Sequence, residues 1–327
     1  MKALTSETLA SVKEFIAIVN HGRDPPVKHL YIGGYGSGIL APGAGTTPVA
    51  SPSFLAAHPV LPVLYAVGEL ESGELTAFST TGGLKAAARR PSAGHSPCHL
   101  AVHPSGTLLA VANYGDGVVS LHHLDERGLF RGEPVVLTHE GRGPRADRQE
   151  GPHAHQCVFH DDVLHVPDLG TDEIRRYTLS GRALEPVRLM PGMGPRHLVF
   201  DEHGRCHVAG ELDATVRTYD ERWREISSVA SSGTGVLTYP SHIDLIGGAV
   251  YVANRGPDTL SVIRDGKRVA EVPTGGAWPR HFAADGDTLW VANQNSDSVA
   301  VFRLKQGLPH PTGETLEVKT PACVLPA

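Results

Sequence analysis

The sequence lacks several features that would each point to a class of protein. Its apolar runs are far shorter than a membrane span, and Phe15–Val19 is too short for a signal-peptide core. The net charge of −6 comes without a basic block or aromatic-basic interleaving, which argues against a nucleic-acid partner. We therefore expect a cytoplasmic protein that binds neither a membrane nor a nucleic acid.

Motifs for cofactors and metals are also scarce. The chain has no Gly-x-Ser-x-Gly elbow and no Walker loop, and the glycine-rich stretch at residues 33–38 ends a strand without leading into a helix. The four cysteines have no CxxC spacing and lie in apolar runs, so we expect buried free thiols: Cys98, Cys157, Cys206 and Cys323. Nineteen histidines invite a metal site, but no carboxylate cluster accompanies them. We expect no metal and no cofactor.

Residues 1–27 differ from the rest of the chain. Ser6 could cap a helix with Leu9, Val12, Ile16 and Val19 on one face. We interpret this segment as a helical extension that packs on the main domain, or on a second subunit to form a homodimer.

The remainder, residues 28–327, is rich in glycine (37 in the chain) and proline (25), and it repeats. In each copy a Pro is followed two residues later by His or Phe, and two apolar strands follow. The copies begin at Pro52, Pro97, Pro152, Pro195, Pro240 and Pro279, which lie 39 to 55 residues apart. Periods of this length are typical of propeller blades with four short strands. The 55-residue interval indicates an insertion at roughly Arg131–Glu150.

A seventh copy is split between the two ends of the domain. Pro321–Leu325 resembles a first strand, and Leu30–Tyr35 resembles a second strand without its partner. Pairing them would close the ring and remove two sheet edges. The sequence therefore predicts an all-β, seven-bladed propeller whose C-terminal strand is innermost in a short N-terminal blade.

The repeat also predicts where the chemistry lies. In an antiparallel hairpin, the start of the first strand and the end of the second share one end of the blade. That end collects the polar residues at the second-strand ends, namely Glu69, Asn113, Asp168, Glu211, Asn254 and Asn293. Arg196 and Arg280 join them from the Pro-x-His motifs, and the insertion adds Arg142, Arg145 and Arg148. An arginine-rich mouth on an acidic protein indicates a small anionic ligand.

Each of these residues also has a structural interpretation. His99, His242 and His281 recur in register, so we expect them to bond the backbone of neighbouring blades. For His155 and His197 both interpretations stay open. His153 is an extra residue in its copy, and a bulge there would re-aim its side chain. Arg196 and Arg280 replace small residues of the repeat, whereas Asp168 could simply cap a turn.

These motifs resemble the seven-bladed propeller lactonases of the 6-phosphogluconolactonase family, which includes the carboxy-muconate lactonising enzymes. The resemblance covers roughly residues 28–325, and its most specific parts are Arg148-Gln149, Pro152–His155, Val166–Asp172, Gly194–His197, Glu211–Asp213 and Pro279-Arg280. It implies metal-independent hydrolysis of an anionic sugar lactone by general acid/base catalysis. The residues it implies as catalytic are His155, Arg196, Glu211 and His153. Those expected to bind substrate are Arg148, Arg280, Asp168, His197 and Glu69.

The mechanism leaves some choices open. Either Glu211 or His155 could take the proton of a water molecule, with Arg196 beside the developing charge and Arg148 or Arg280 on the anionic tail. Gly210 stands where the family usually has Asn. One alternative is a cycloisomerase that acts on an unsaturated diacid such as a carboxy-muconate. Another is a propeller that binds a ligand without turnover, since fold alone does not decide function.

Overall fold

The computed structural model of the chain describes residues 30–327, which form seven four-stranded antiparallel sheets. We number these sheets as blades 1 to 7 in chain order. The all-β, seven-bladed propeller predicted from the repeat is thus confirmed. The N-terminal helix and the homodimer contact predicted for residues 1–27 lie outside the described residues.

The first four blades contain the following strands. Blade 1 consists of β28 (Pro321–Pro326), β1 (Leu30–Gly34), β2 (Gly38–Ala41) and β3 (Gly45–Pro48). Blade 2 consists of β4 (Leu55–Ala57), β5 (Val63–Gly68), β6 (Glu74–Ser79) and β7 (Lys85–Pro91). Blade 3 consists of β8 (Pro97–Val102), β9 (Leu108–Asn113), β10 (Val119–Leu124) and β11 (Phe130–Leu137). Blade 4 consists of β12 (Val158–His160), β13 (Val163–Asp168), β14 (Glu173–Thr178) and β15 (Ala183–Arg188).

The last three blades follow the same order from the channel outwards. Blade 5 consists of β16 (Pro195–Phe200), β17 (Cys206–Gly210), β18 (Thr215–Tyr219) and β19 (Glu225–Ala230). Blade 6 consists of β20 (Tyr239–Ile246), β21 (Ala249–Arg255), β22 (Thr259–Arg264) and β23 (Lys267–Pro273). Blade 7 consists of β24 (Pro279–Asp285), β25 (Thr288–Asn293), β26 (Ser298–Lys305) and β27 (Leu308–Glu317), with a 3-10 turn at Gln294–Ser296.

The two ends of the described chain close the ring in blade 1. Strand β28 pairs antiparallel with β1, with Val324 opposite Ile32 and Cys323 opposite Gly33. The C-terminal strand is innermost in the N-terminal blade, as predicted. This blade is also short, because β2 and β3 have four residues each.

The predicted bounds of the insertion are wrong at its N-terminal side. Residues 131–137 belong to β11, the outermost strand of blade 3, so the inserted loop comprises residues 138–157. The stretch from Arg131 to Pro134 contains glycine, proline and charged residues, which resemble a loop in sequence. An outermost strand tolerates them because one of its edges is unpaired and faces solvent.

Burial follows the position of each strand in its blade. The second strand β9 is buried at all six residues, whereas the outermost β7 has no buried residue. Seven apolar clusters fill the seven spaces between neighbouring blades. Within residues 30–327, no helix is long and apolar enough to span a membrane.

Candidate active site

In blades 3, 5 and 7, a β-bulge at the start of the first strand places one residue at the mouth of the channel. In blade 5, Pro195 pairs with Gly210 and His197 with Ala209, so Arg196 is the extra residue of the bulge. Arg280 has the same position in blade 7, and Cys98 has it in blade 3. Bulges commonly re-aim side chains beside active sites. We call these residues the bulge ring.

His155 belongs to the bulge ring, which corrects its predicted register. Ala154 bridges Asp168 and Val158 pairs with His165, with the same spacing as in blade 5. His155 therefore matches Arg196, and Gln156 matches the recurring histidines. The sequence interpretation, which placed His155 in register with the recurring histidines, was wrong by one residue because it took Pro152 for the repeat proline.

The recurring residues themselves form a plug beneath the bulge ring: Phe54, His99, His197, His242 and His281. Their rings lie close together, with centroids 4.0 Å apart for Phe54 and His99 and 4.0 Å apart for His242 and His281. Burial, together with the charge of Arg196, holds the pKa of each imidazole below its usual range. The four histidines are therefore neutral at pH 7.

Two histidines of this plug, His99 and His281, bond the backbone of the neighbouring blade, as the repeat predicted. The N–H of Cys157 donates to Nδ1 of His99 at 3.3 Å, and the N–H of Val324 donates to Nδ1 of His281 at 3.4 Å. In blade 4 the side chain of Gln156 accepts the equivalent bond at 2.7 Å. Each of these bonds joins a blade to the next one.

His197 and His242 bond one another, with their Nδ1 atoms 2.9 Å apart. The side chain of His197 is packed between other rings of the plug, and the residue is only 2% exposed. This geometry favours a supporting role for His197 over the predicted substrate contact.

A second ring lies at the mouth end of the second strands, where it takes the residue just beyond the strand in six blades and the last residue of β21 in blade 6. It consists of Tyr35, Glu69, Tyr114, Leu169, Glu211, Arg255 and Gln294. The preceding asparagines Asn113, Asn254 and Asn293 are completely buried and bond nearby loops. The predicted list of strand ends therefore mixed structural residues with residues of the mouth.

Glu211 is the electrostatic centre of the mouth. Its carboxylate lies 2.7 Å from Nη2 of Arg148, 3.1 Å from Nε of Arg196 and 2.7 Å from Nη2 of Arg255. Burial alone would raise the pKa of Glu211, but the guanidinium groups of Arg255 and Arg196 hold it far below its usual range. Burial, with repulsion from Arg255 and Arg280, lowers the pKa of Arg196 to about 9. Both residues are charged at pH 7, and Glu211 is a weak base.

Arg280 is a guanidinium without a partner at the same mouth. Within residues 30–327 it has no carboxylate at ion-pair distance and no hydrogen bond, and it lies 5.1 Å from the centre of the Tyr35 ring. The hydroxyl of Tyr35 donates to Oε2 of Glu69 at 2.9 Å, which directs Glu69 to the tyrosine. Arg280 can therefore donate to an incoming anion without first breaking an ion pair.

The imidazole of His155 lies between Cys98, its neighbour in the bulge ring, and Tyr114. Its Nδ1 is 3.7 Å from Sγ of Cys98, and its ring meets that of Tyr114 edge-on at 5.3 Å. No residue in the described part of the chain bonds its Nε2. Burial, and then the charges of Arg196 and Arg280, hold the pKa of His155 well below its usual range. At pH 7 it is a neutral group that can accept a proton.

His153 is held differently. Its ring stacks on Tyr114 at 4.5 Å, with Nδ1 2.8 Å from the carbonyl oxygen of Tyr114 and Nε2 3.2 Å from Oε1 of Glu150. Both ring nitrogens thus face oxygen atoms of the protein. This arrangement favours a positioning role for His153.

Asp168 anchors the inserted loop from below. Its carboxylate accepts bonds from Nδ1 of His139 at 2.6 Å, the N–H of His153 at 2.8 Å and the N–H groups of Gly170 and Thr171 at 3.0 and 3.1 Å. Burial would raise the pKa of Asp168, but the bond from His139 holds it below its usual range. Because Asp168 has no exposed surface, the geometry favours a positioning role over the predicted substrate contact.

The structure thus brings Arg148, His155, Arg196, Glu211 and Arg280 together at the mouth, with His153 and Glu69 at its sides. Arg255 and Tyr114 belong to the same mouth and were missed by the sequence interpretation. The sequence did contain a signal for them. Each directly follows a strand-end asparagine, which is the same position of the repeat that Glu69 and Glu211 occupy after a glycine. Nowhere in residues 30–327 do three or more His, Cys, Asp or Glu side chains form a group that could hold a metal ion.

Comparisons with known proteins place the chain in a family. A 6-phosphogluconolactonase of Formosa agariphila is 30% identical over 268 residues, which cover 72% of this chain and 76% of that protein. The 6-phosphogluconolactonase of Bacillus subtilis is also 30% identical over 268 residues, covering 72% and 75%. A Bacteroides fragilis structure, provisionally assigned as a 6-phosphogluconolactonase, has a TM-score of 0.83 at 25% identity and covers 92% of this chain and 99% of its own.

The family model for "Lactonase, 7-bladed beta-propeller" matches residues 34–326, which is nearly the whole described propeller. The chain therefore belongs to the seven-bladed β-propeller lactonase family.

Proposed function

We propose that this lactonase opens a sugar lactone that carries a negative charge, of the 6-phosphogluconolactone type. The names of the relatives support the substrate class. The observation that carries the proposal is the shared register of His155, Arg196 and Arg280, which brings a neutral imidazole and two guanidinium groups to one mouth. Such a site can accept a proton, stabilise an oxyanion and bind an anionic tail.

In the proposed reaction, a water molecule attacks the lactone carbonyl carbon, and Nε2 of His155 takes a proton from this water as the new C–O bond forms. Arg196 stabilises the negative charge that develops on the carbonyl oxygen. The ring C–O bond then breaks, and His155 returns the proton to the leaving oxygen. The product is the open hydroxy acid, and no step requires a metal ion.

The remaining charged residues bind and orient. Arg280 has free donors and can hold a phosphate or carboxylate in a bidentate manner. Glu211 fixes the guanidinium groups of Arg148, Arg196 and Arg255. Of the two bases considered from the sequence, we favour His155, because the carboxylate of Glu211 is paired with three guanidinium groups, whereas no described residue bonds Nε2 of His155.

The test is a pH-stat assay of acid release from phosphorylated and unphosphorylated aldonolactones, corrected for spontaneous opening. We expect turnover by the wild type and a loss of about 100-fold or more in kcat for His155→Gln. Exposed His310 provides the matched control, and His310→Gln should turn over like the wild type. Wild-type kcat in His155→Gln would refute the role of His155 as the base.

The same assay separates the alternatives. Turnover of unsaturated diacids without any lactone opening would favour a cycloisomerase. Saturable binding of lactones and diacids without turnover would favour a ligand-binding propeller. A cytoplasmic location stays a prediction, and fractionation of the native host cells would test it.

A further inference from the structure

A cavity of about 240 Å³ lies between blades 4 and 5, at the end of the propeller away from the mouth. Strands β12 and β16 end there, and β13 and β17 begin there. Its walls include His160, His165, Arg176, Phe200 and Trp223. None of these residues takes part in the proposed lactone chemistry.

His165 has an unusual environment for its position in the repeat. The register of the second strands places Tyr65, His207 and Tyr251 at equivalent positions. The hydroxyls of Tyr65 and Tyr251 donate to backbone carbonyls at 2.6 and 2.7 Å, and Nδ1 of His207 lies 2.9 Å from a threonine hydroxyl. Nδ1 of His165 is buried, in a residue only 4% exposed, and no side chain of residues 30–327 bonds it.

Arg176 is equally unusual. It pairs directly across the hairpin with His165, so both side chains share one face of blade 4. In blades 2, 3, 5, 6 and 7 the equivalent residue of the third strand is uncharged: Ala77, Leu121, Thr218, Val262 and Val301. Within residues 30–327, Arg176 has no hydrogen bond and no ion pair, and its Nε is buried. A half-buried cation with an unsatisfied N–H indicates a missing acceptor.

The walls of the cavity are aromatic. The rings of His160 and Phe200 stack in parallel with centroids 4.0 Å apart, and Trp223 lies 6.0 Å from Phe200. The guanidinium of Arg176 lies 5.9 Å from the Trp223 ring. Flat aromatic rings beside a guanidinium suit a ligand with a planar ring and a hydrogen-bond acceptor.

The charges around the cavity are mixed, because Asp161, Asp220 and Glu221 line it together with Arg176. Burial, and then the charge of Arg176, lowers the pKa of His165 to about 3, so this imidazole is neutral at pH 7. Of the three carboxylates, Asp220 pairs with Arg224 at 2.6 Å, and Asp161 is 89% exposed to water. The third, Glu221, is exposed. Arg176 is therefore the cation that a ligand meets inside.

We propose that this cavity is a second binding site, which takes a small aromatic carboxylate with a single ring. The ring would lie against Phe200 and Trp223, and the carboxylate would accept bonds from Arg176 and His165. A volume of about 240 Å³ is below the usual range for drug-sized ligands, which limits the ligand to about one ring.

The test is isothermal titration of the full chain with benzoate. We expect saturable binding with a Kd of about 1 mM or tighter, which is within reach of a ligand with about nine non-hydrogen atoms. Arg176→Leu should weaken binding at least about tenfold, because it removes the charged donor. Arg303→Leu is the matched control, since Arg303 is an exposed arginine near the same end of blade 7, and it should bind like the wild type. Near-ultraviolet circular dichroism checks that each variant is folded.

A second readout uses the tryptophan of the wall. Benzoate should change the fluorescence of the wild type but not that of Trp223→Phe, which keeps Trp278 and Trp290. Cyclohexylamine, which has a ring but carries a cation, should not compete. The proposal is overturned if benzoate shows no saturable binding below about 10 mM, if Arg176→Leu binds it as well as the wild type, or if the cation competes. Lactone turnover does not enter any of these readouts.

Discussion

The neutral histidines of the plug should make the propeller sensitive to acid, and His281→Phe tests this. Phe54 occupies the same register in blade 2, where its ring already packs against His99 and His281. A phenylalanine should therefore fit at position 281. At pH 7.5 the variant loses the bond that Nδ1 of His281 accepts from the N–H of Val324. We expect a cost of about 1 kcal/mol in the free energy of unfolding.

Lowering the pH should stabilise the variant relative to the wild type, whereas the lost hydrogen bond destabilises it. Burial, and then the charge of Arg196, lowers the pKa of His281 to about 3, whereas an unfolded histidine has a pKa of about 6.5. As the pH falls below about 6.5, the unfolded chain binds a proton that the folded chain does not bind, so the folded state loses stability. At pH 5.5 the loss is about 1.4 kcal/mol for one such histidine. The variant lacks this group and should escape that loss.

Urea unfolding of both proteins at pH 7.5 and pH 5.5 measures the difference. The deficit of His281→Phe relative to the wild type should change by about 1.4 kcal/mol in favour of the variant between the two pH values. His310→Phe, at an exposed position on β27, controls for the change in residue type and should show no such pH effect. An equal deficit of His281→Phe at both pH values would mean that His281 is protonated in the folded protein, and the account of a neutral plug would be wrong.

Three further predictions concern the mouth. Arg280→Met should raise KM for a phosphorylated lactone by about 100-fold with a smaller change in kcat; initial rates that leave KM unchanged would exclude Arg280 as the anion site. The acid limb of kcat/KM should lie below pH 6.5, because the pKa of His155 is depressed, and it should move to higher pH in Arg280→Met, which removes one of the depressing charges; a limb fixed at pH 6.5 or above in both proteins would contradict this. Asp168→Asn should lower the free energy of unfolding by about 3 kcal/mol, since it breaks a buried pair with His139; a urea midpoint equal to that of the wild type would refute the anchoring role.

The fold could be predicted because its evidence recurs. Each blade repeats an apolar hairpin after a proline, and six weak signals at similar spacing support one another. Closure could also be predicted, because β28 and β1 are incomplete copies that complete each other. The outermost strands were harder. Strand β11 contains Gly132 and Pro134, and its free edge places little demand on the sequence.

The site could be predicted only in part, because its residues are not in one register of the sequence. Arg196, Arg280 and His155 come from a bulge at the start of the first strand. Glu211 comes directly after the second strand of blade 5, and Arg255 is the last residue of the second strand of blade 6. A shift of one residue converts a buried structural side chain into one that faces the mouth, as Asn254 and Arg255 show. Sequence spacing does not resolve a single residue when a bulge intervenes.

Blade 4 shows why the hydrogen bonds of the backbone, and not the residue types, decide this register. From sequence, the histidine at position 155 was the obvious match for the other histidines, and Gln156 had no evident role. In the structure, Gln156 accepts the N–H of Leu198 in the next blade, as His99 accepts that of Cys157. An amide oxygen and an imidazole nitrogen can serve the same donor, so the repeat conserves an acceptor and its position. Because Gln156 supplies that acceptor, the imidazole of His155 does not have to bond the next blade. It lies instead at the mouth, in the register of Arg196.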